Sequence, residues 1–402
     1  MKANPGGNIA PDNVIGRDRM IKRLWETLEN QSVVLVAERR IGKTTVIRKM
    51  EAEAPENTVV TVRDIEGVSS PIEFVERVTQ DVVGHLSKSG KSVRLLKSFV
   101  KSLSGVELKL NMLGVKFPNI AAPHWKELLE KVLADLAEDK NQQAILIWDE
   151  MPWMLQKIIK TAGEREAMDL LDTLRGLRQT YTNLRMVYTG SIGLHHVITA
   201  LRDDGYVNSP VNDMRTIEVP PLNNTDAGKL AKELIQEEGL ECNQPDDTAG
   251  CISRLVDAVP FYIHHVVAAM VDRGCTATPE NAQKAVKQAL VAPQDPWDLE
   301  HYRSRLCEYY SDKAELVREI LNQLAETQPL TRDQLREQIK ISWRPASDQL
   351  RTIVEYETED FRKILKLMQR DHYLTQDENT GSYRSCFELV RNWWRLDGGC
   401  HE

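Results

Sequence analysis

Residues Ala37-Glu38-Arg39-Arg40-Ile41-Gly42-Lys43-Thr44 lie between the apolar run Val33–Val36 and a helix-like stretch, Thr45–Met50. A strand, a tight loop and a helix start in that order limit the fold more than any other feature of the chain. Successive backbone N–H groups in such a loop converge on an anion, and the helix behind it turns its positive end to the same point. The residue types suit a triphosphate: Gly42 permits close backbone approach, Lys43 reaches the β- and γ-phosphates, and Thr44 offers a hydroxyl to Mg2+. Arg39, Arg40, Ile41 and Thr45 complete the loop. The position that usually holds its first glycine is Ala37, whose side chain is still small.

About a hundred residues later the unbroken apolar run Ala144–Trp148 ends in Asp149-Glu150. Continuous hydrophobic residues mark a buried parallel strand, and chemistry in open α/β sheets gathers at the C-terminal ends of strands. Asp149 at such an end can hold Mg2+, directly or through water, and Glu150 can orient an attacking water. Alone, the pair reads more readily as an ordinary strand-to-loop transition than as a site; downstream of a phosphate loop the balance reverses and it reads as a site. A third strand, Arg185–Thr189, runs into Gly190-Ser191-Ile192-Gly193. Thr189 and Ser191 suit a polar contact to the γ-phosphate or the lytic water, although a simple strand-to-turn change explains the glycines as well.

With 402 residues the chain exceeds one comfortable core, so two or three domains are expected. No stretch approaches the ~20 apolar residues of a membrane helix. The opening residues lack the apolar core of a signal peptide, and the six cysteines show neither CxxC nor metal spacing. These features point to a soluble protein of the reducing cytoplasm, with no membrane partner. The adjacent pairs His195-His196 and His264-His265 read as structural. A net charge of −8 argues against broad electrostatic binding to nucleic acid. The segment from Ser87 to Lys116 departs from that balance, with Lys88, Lys91, Arg94, Lys97, Lys101, Lys109 and Lys116 against Glu107 alone. Its apolar residues recur at helical spacing, so it reads as an amphipathic helix on the core or as a contact surface for nucleic acid or an acidic partner.

The expected architecture is α/β, a parallel sheet covered on both faces, followed by helical regions. Residues 1–13 read as a flexible lead. A helix about Ile21–Leu28 precedes the first strand, and Thr58–Val62 reads as a second buried strand. Further helices are expected over Phe74–Leu86, His124–Glu138 and Glu164–Tyr181, a hairpin over Gly105–Leu110 and Val115–Phe117, and a last short strand at Thr216–Val219. The sheet domain then spans 14–222. Strand signals stop near Thr225, and four helices fill a region of 223–292. Val291–Pro296 is the best linker. Beyond it, over 293–402, three helices (Ala314–Ala325, Arg332–Gln338, Thr358–Arg370) lead to a hairpin about Glu378–Gly381 and an aromatic, basic ending with Trp393-Trp394. Three helices capped by a hairpin form the winged-helix pattern.

Taken together, Ile15-Gly16-Arg17, the Glu38–Thr44 loop, Asp149-Glu150 and Thr189-Gly190-Ser191 resemble the AAA+-related ATPases of the STAND class, close to archaeal origin-recognition ATPases. The resemblance covers about Val14 to Arg395. It implies ATP and Mg2+ as cofactors, with the segment containing Ile15, Gly16 and Arg17 lying against the adenine. It implies an arginine near the γ-phosphate, best matched by Arg215, acting within a subunit or between two. A Gly-x-Pro element that faces the nucleotide in that family appears here as Ala258-Val259-Pro260, so only Pro260 carries over. The implied activity is that of an ATP-dependent switch, slow in hydrolysis, acting on a protein partner or effector and able to oligomerise on activation. Two rivals remain open: a DNA-binding ATPase using Arg362, Lys363, Lys366 and Arg370 of a recognition helix, and a binding-only pseudo-ATPase.

Overall fold

The computed structural model describes residues 1–83, 85, 98, 117, 119–190, 193–203, 206, 208–344, 347–356 and 359–396. The basic 87–116 segment, apart from Ser98, the hairpin expected near it, apart from Phe117, and Ser191 all lie outside the described residues. The chain divides into two compact units, Ala10–Val219 and Pro220–Glu402 with Met1–Ile9.

In the first unit, β1 (Val33–Val36), β2 (Thr58–Asp64), β3 (Gln143–Asp149), β4 (Leu184–Thr189) and β5 (Arg215–Glu218) form one sheet. Its order is β2-β3-β4-β1-β5 and every pairing is parallel. Helix α1 (Asp18–Leu28) precedes β1, and the crossovers that parallel neighbours need include α2 (Lys43–Ala52), α3 (Pro71–Val82), α4 (Trp125–Leu136), α5 (Met151–Ala162), α6 (Glu164–Thr180) and α7 (Leu194–Asp203). Alternate residues point to opposite faces. Val34, Leu146, Trp148, Met186 and Tyr188 share one core, with Trp148 edge-on to Phe74 at 5.0 Å and stacked with Tyr188 at 5.9 Å. Leu35, Ile145, Ile147 and Val187 of the intervening positions are buried too, so β1, β3 and β4 are covered on both faces. Each such side chain contributes about 1.5–3 kcal/mol.

The strand expected as buried at Thr58–Val62 runs to Asp64 and lies at the sheet edge, where only Val59 is fully buried. Its β-branched residues specify an extended strand, but not how many neighbours it has. Arg63 and Asp81 pair beside this edge. The carbonyl end of α1 is tied to the starts of β3 and β4. Gln143 donates to the Leu28 carbonyl at 2.8 Å, and Arg185 reaches both Leu28 and Glu29. Deeper in the unit, Arg178 donates to the Tyr188 hydroxyl, the Pro210 carbonyl and Asp213, so its buried charge is fully used. Burial pushes the Tyr188 phenol up to about 12.

The second unit is almost entirely helical. Four helices, α8 (Asn224–Glu237), α9 (Pro245–Leu255), α10 (Pro260–Asp272) and α11 (Pro279–Leu290), follow the sequence expectation closely. Prolines open three of them, and the Asn223 and Thr278 side chains cap α8 and α11. After the 291–296 stretch, Trp297 is buried with its ring 5.2 Å from that of Tyr262. Then come α12 (His301–Tyr310), α13 (Ala314–Glu326), α14 (Arg332–Ser342), α15 (Asp348–Glu355) and α16 (Glu359–Arg370). An antiparallel pair, β6 (Leu374–Gln376) and β7 (Tyr383–Ser385), leads into α17 (Glu388–Leu396). Where three helices were expected ahead of the hairpin, five stand. The repeat of α12 is hidden because its inner face carries Arg305, which is buried against the rings of Tyr302 and Tyr373. With two turns only, α15 is too short for its repeat to register. Trp393 and Trp394 pack inward beside the Arg303 guanidinium, and Trp394 donates to Asn322 at 2.8 Å.

The expected flexible lead is shared between the units. The Met1 amino group lies 3.6 Å from Glu237, and the Ala3 and Asn4 amides donate to Glu238 and His264. Pro11–Asn13 form a 3-10 turn of the sheet unit. Among the described residues the cysteines are free, and no helix is long and apolar enough to cross a membrane.

Candidate functional site

The site begins where β1 ends. Gly42 holds φ +100°, ψ 31° and caps α2, a conformation that costs a glycine nothing. Arg40 also has positive φ, at 70°, so the loop doubles back twice within three residues. Lys43 is buried and donates to the Ala37 carbonyl at 3.0 Å, which holds its ammonium across the mouth of the loop. Glu38 is buried as well, and its carboxylate accepts from the Arg39 amide at 2.8 Å. Arg39 and Thr44 are exposed, while Thr45 is half-buried.

Opposite stands the end of β3. Thr44 donates its hydroxyl to Asp149 Oδ2 at 2.9 Å across 105 residues of sequence. Burial raises the Asp149 carboxyl above its usual range, opposed by the Thr44 hydrogen bond, the Lys43 charge and the Glu150 amide, and reinforced by Asp64. Glu150 is left-handed at φ 61° and precedes α5, so strand turns into helix without an intervening loop. Gly190 at the end of β4 fits closely there. A Cβ on it would lie 2.5 Å from Pro152 Cδ and 3.4 Å from Glu150 Oε2. The preceding Thr189 is buried, and its hydroxyl has no hydrogen-bond partner.

Lys43, Thr44, Asp149, Glu150 and Thr189 thus stand at the same edge of one sheet, at the C-terminal ends of β1, β3 and β4. Arg17 joins them, donating from a buried position to the Ile41 carbonyl at 2.8 Å. Ile15 and Gly16, the latter at φ 72°, form the approach to α1. Arg215 does not join them. It opens β5 level with Val33, the first residue of β1, and so sits at the opposite edge of the sheet from the loop. Three residues of strand rise, roughly 10 Å, separate its level from that of Val36. An arginine preceding a strand in a parallel sheet is placed at the wrong end by the polarity of the sheet itself. Pro260 opens α10 in the second unit. Sequence reasoning missed Asp64, which ends β2 in register with Asp149. Its signal was a carboxylate closing a β-branched run.

The donor set fits Mg2+. A hydroxyl and a carboxylate already in contact are hard oxygen ligands, and Mg2+ is usually held by one or two carboxylates together with phosphate oxygens. A cation there would offset the buried charge of Asp149, which burial alone disfavours.

Residues 27–198 match the family described as AAA domain. Among curated proteins none matches the chain significantly. In fold the chain is similar to the Walker-type ATPase of Pyrococcus abyssi, at TM-score 0.65 and 17% identity over 98% of this chain and 100% of that one. It also matches the Aeropyrum pernix ORC2 protein in ADPNP–ADP complexes, at TM-score 0.46 and 12% identity, over 94% of this chain and 92% of that one. The parallel sheet and its helices therefore match the fold of AAA-type P-loop domains.

Proposed function

We propose that the chain is an ATP-binding and ATP-hydrolysing molecular switch of STAND/AAA+ type that regulates a partner protein in the cytoplasm. The observation that carries this reading is the hydrogen bond from Thr44 to Asp149 beside the buried Lys43. It joins the phosphate loop to the acidic strand end in one site. In this reading Lys43 and the loop amides bind the β- and γ-phosphates, and Thr44 and Asp149 hold Mg2+. Glu150 accepts a hydrogen bond from the attacking water and sets its line of approach, while Thr189 has a spare buried hydroxyl for the γ-phosphate or that water. Mg2+ held by Thr44 and Asp149 would offset negative charge on the phosphate oxygens.

The regulatory part rests on the second unit, whose four-helix region and later helices with the β6–β7 hairpin we read as a lid and a winged helix. A switch needs contacts that differ between nucleotide states, and the γ-phosphate is the group that distinguishes them. A protein partner is favoured over DNA by α16. There Arg362 and Lys363 pair with Glu359 and Asp360 on the same helix, which mixes both signs on the candidate recognition surface. Phosphate contact gains from unopposed cations.

The test is ATP affinity and phosphate release for wild type, Lys43→Ala and Glu150→Gln. Slow wild-type turnover is expected, lost by about 100-fold in both variants, with ATP affinity kept only in Glu150→Gln. Wild-type binding without turnover would make the chain a binding-only protein, and absence of ATP binding would remove the reading. Salt-dependent duplex binding in either nucleotide state would favour the DNA alternative.

A further inference from the structure

The resemblance puts the segment containing Arg17 against the adenine; in the structure Arg17 is 4% exposed and its Nη2 lies 2.8 Å from the Ile41 carbonyl. That carbonyl belongs to the peptide whose N–H is Gly42's. A trans peptide is planar, with its C=O and N–H directed oppositely. A carbonyl held against Arg17 therefore turns the Gly42 N–H to the other side, away from α1. Gly42 can follow because φ +100° is open to it.

We propose that Arg17 is a positioning residue of the phosphate loop: it locks the Ile41–Gly42 peptide with the Gly42 N–H facing the polyphosphate. With the guanidinium removed, the peptide can rotate and present its oxygen to the anion, converting a donor into a repulsive acceptor. The arginine is itself held in place. Lys49 of α2, also buried, donates to the Pro11 carbonyl at 3.2 Å and pairs with Asp18 at 3.4 Å and Glu53 at 2.9 Å. Two cations, one from each side, thus fasten the Pro11–Asp18 stretch to the loop and to the helix behind it. The segment before α1 governs the phosphate end of the site, whatever it does at the base.

This inference rests on the nucleotide-binding reading above, and calorimetry on the full chain separates the two. The probes are ATP and inorganic tripolyphosphate, each with Mg2+. Arg17→Met is expected to weaken both by the same factor, about tenfold or more, as befits loss of a charge-assisted hydrogen bond. Arg17→Lys keeps the charge and one donor and is expected to lose about threefold for both, a small fraction of that bond. Should Arg17→Met not fold, Arg17→Lys decides alone. Unchanged affinities, or a loss for ATP with none for tripolyphosphate, would overturn the inference, since the latter marks a contact to the base. Wild type that binds neither probe would overturn the nucleotide reading and this one with it.

Discussion

Gly190→Ala tests whether the ends of β3 and β4 are packed as one piece. The added methyl would sit 2.5 Å from Pro152 Cδ and 3.0 Å from its Cγ. Carbon atoms rest at about 3.5–4.0 Å, so about 1 Å of overlap must be relieved. Pro152 is buried and its ring is closed, so no rotamer change relieves the clash. The start of α5 has to move, and Glu150 is the residue at its N-cap. Overpacking of this kind costs about 1–3 kcal/mol. For a unit of some two hundred residues each kcal/mol lowers Tm by about 2–4 °C, giving a fall of roughly 2–12 °C. A 1 Å displacement of a water-orienting carboxylate costs up to about 100-fold in rate. Thermal unfolding and phosphate release on the same preparation read both effects. A Tm within about 1 °C of wild type would refute the packing argument. A lowered Tm with full turnover would show that Pro152 yields without moving Glu150, and would refute the link to catalysis.

Two further predictions concern the helical unit. Burial raises the Asp257 carboxyl from 3.8 to about 6, with Glu388 reinforcing the shift against the Leu389 and Glu388 amides that it caps. The unfolded chain then ionises first as pH rises, so this group removes stability between about pH 4 and pH 6, by up to about 3 kcal/mol and less where solvent reaches it. Asp257→Asn should match or fall below wild type at pH 4 and gain on it by pH 7 in thermal unfolding. A gain that shrinks with rising pH would be the wrong sign. His264, pulled down to about 4 by burial, works oppositely as pH falls below 6.5, so variant and wild type must be compared at each pH. Ala258→Gly should raise Tm, worth about 0.5–1 kcal/mol, because Ala258 holds φ 55°. An unchanged or lowered Tm would show that the surroundings already favour this conformation.

The loop, the acidic strand end and the sheet were legible because each is a local pattern: a glycine before a lysine, an apolar run ending in acids, alternation of strand and helix. What could not be read was placement that depends on partners. Thr58–Val62 looks buried by composition but, among the described residues, pairs with β3 alone. The helix after Glu150 escaped because it starts without a turn, and α12 escaped because a buried arginine interrupts its apolar face. Ala258 is instructive in the opposite direction. The Gly-x-Pro element of the resemblance has its glycine at that position, and Ala258 stands there at φ 55°, in the left-handed region that favours glycine. The resemblance puts the segment containing Arg17 against the adenine; the contact of Arg17 with Ile41 spans 24 residues and leaves no local trace in the sequence.

Arg215 shows how far sheet polarity alone can carry a conclusion. All five strands run in one direction, so residues that end a strand share an edge and residues that begin one share the other. The phosphate loop, Asp149 and Thr189 follow or close their strands; Arg215 opens β5 and pairs with Val33. Roughly 10 Å of strand separate those levels. Arg215 thus starts from the strand edge opposite the phosphate loop of its own chain. A catalytic role for this exposed arginine therefore requires a second copy of the chain, whose loop would have to meet the strand-start edge of the first.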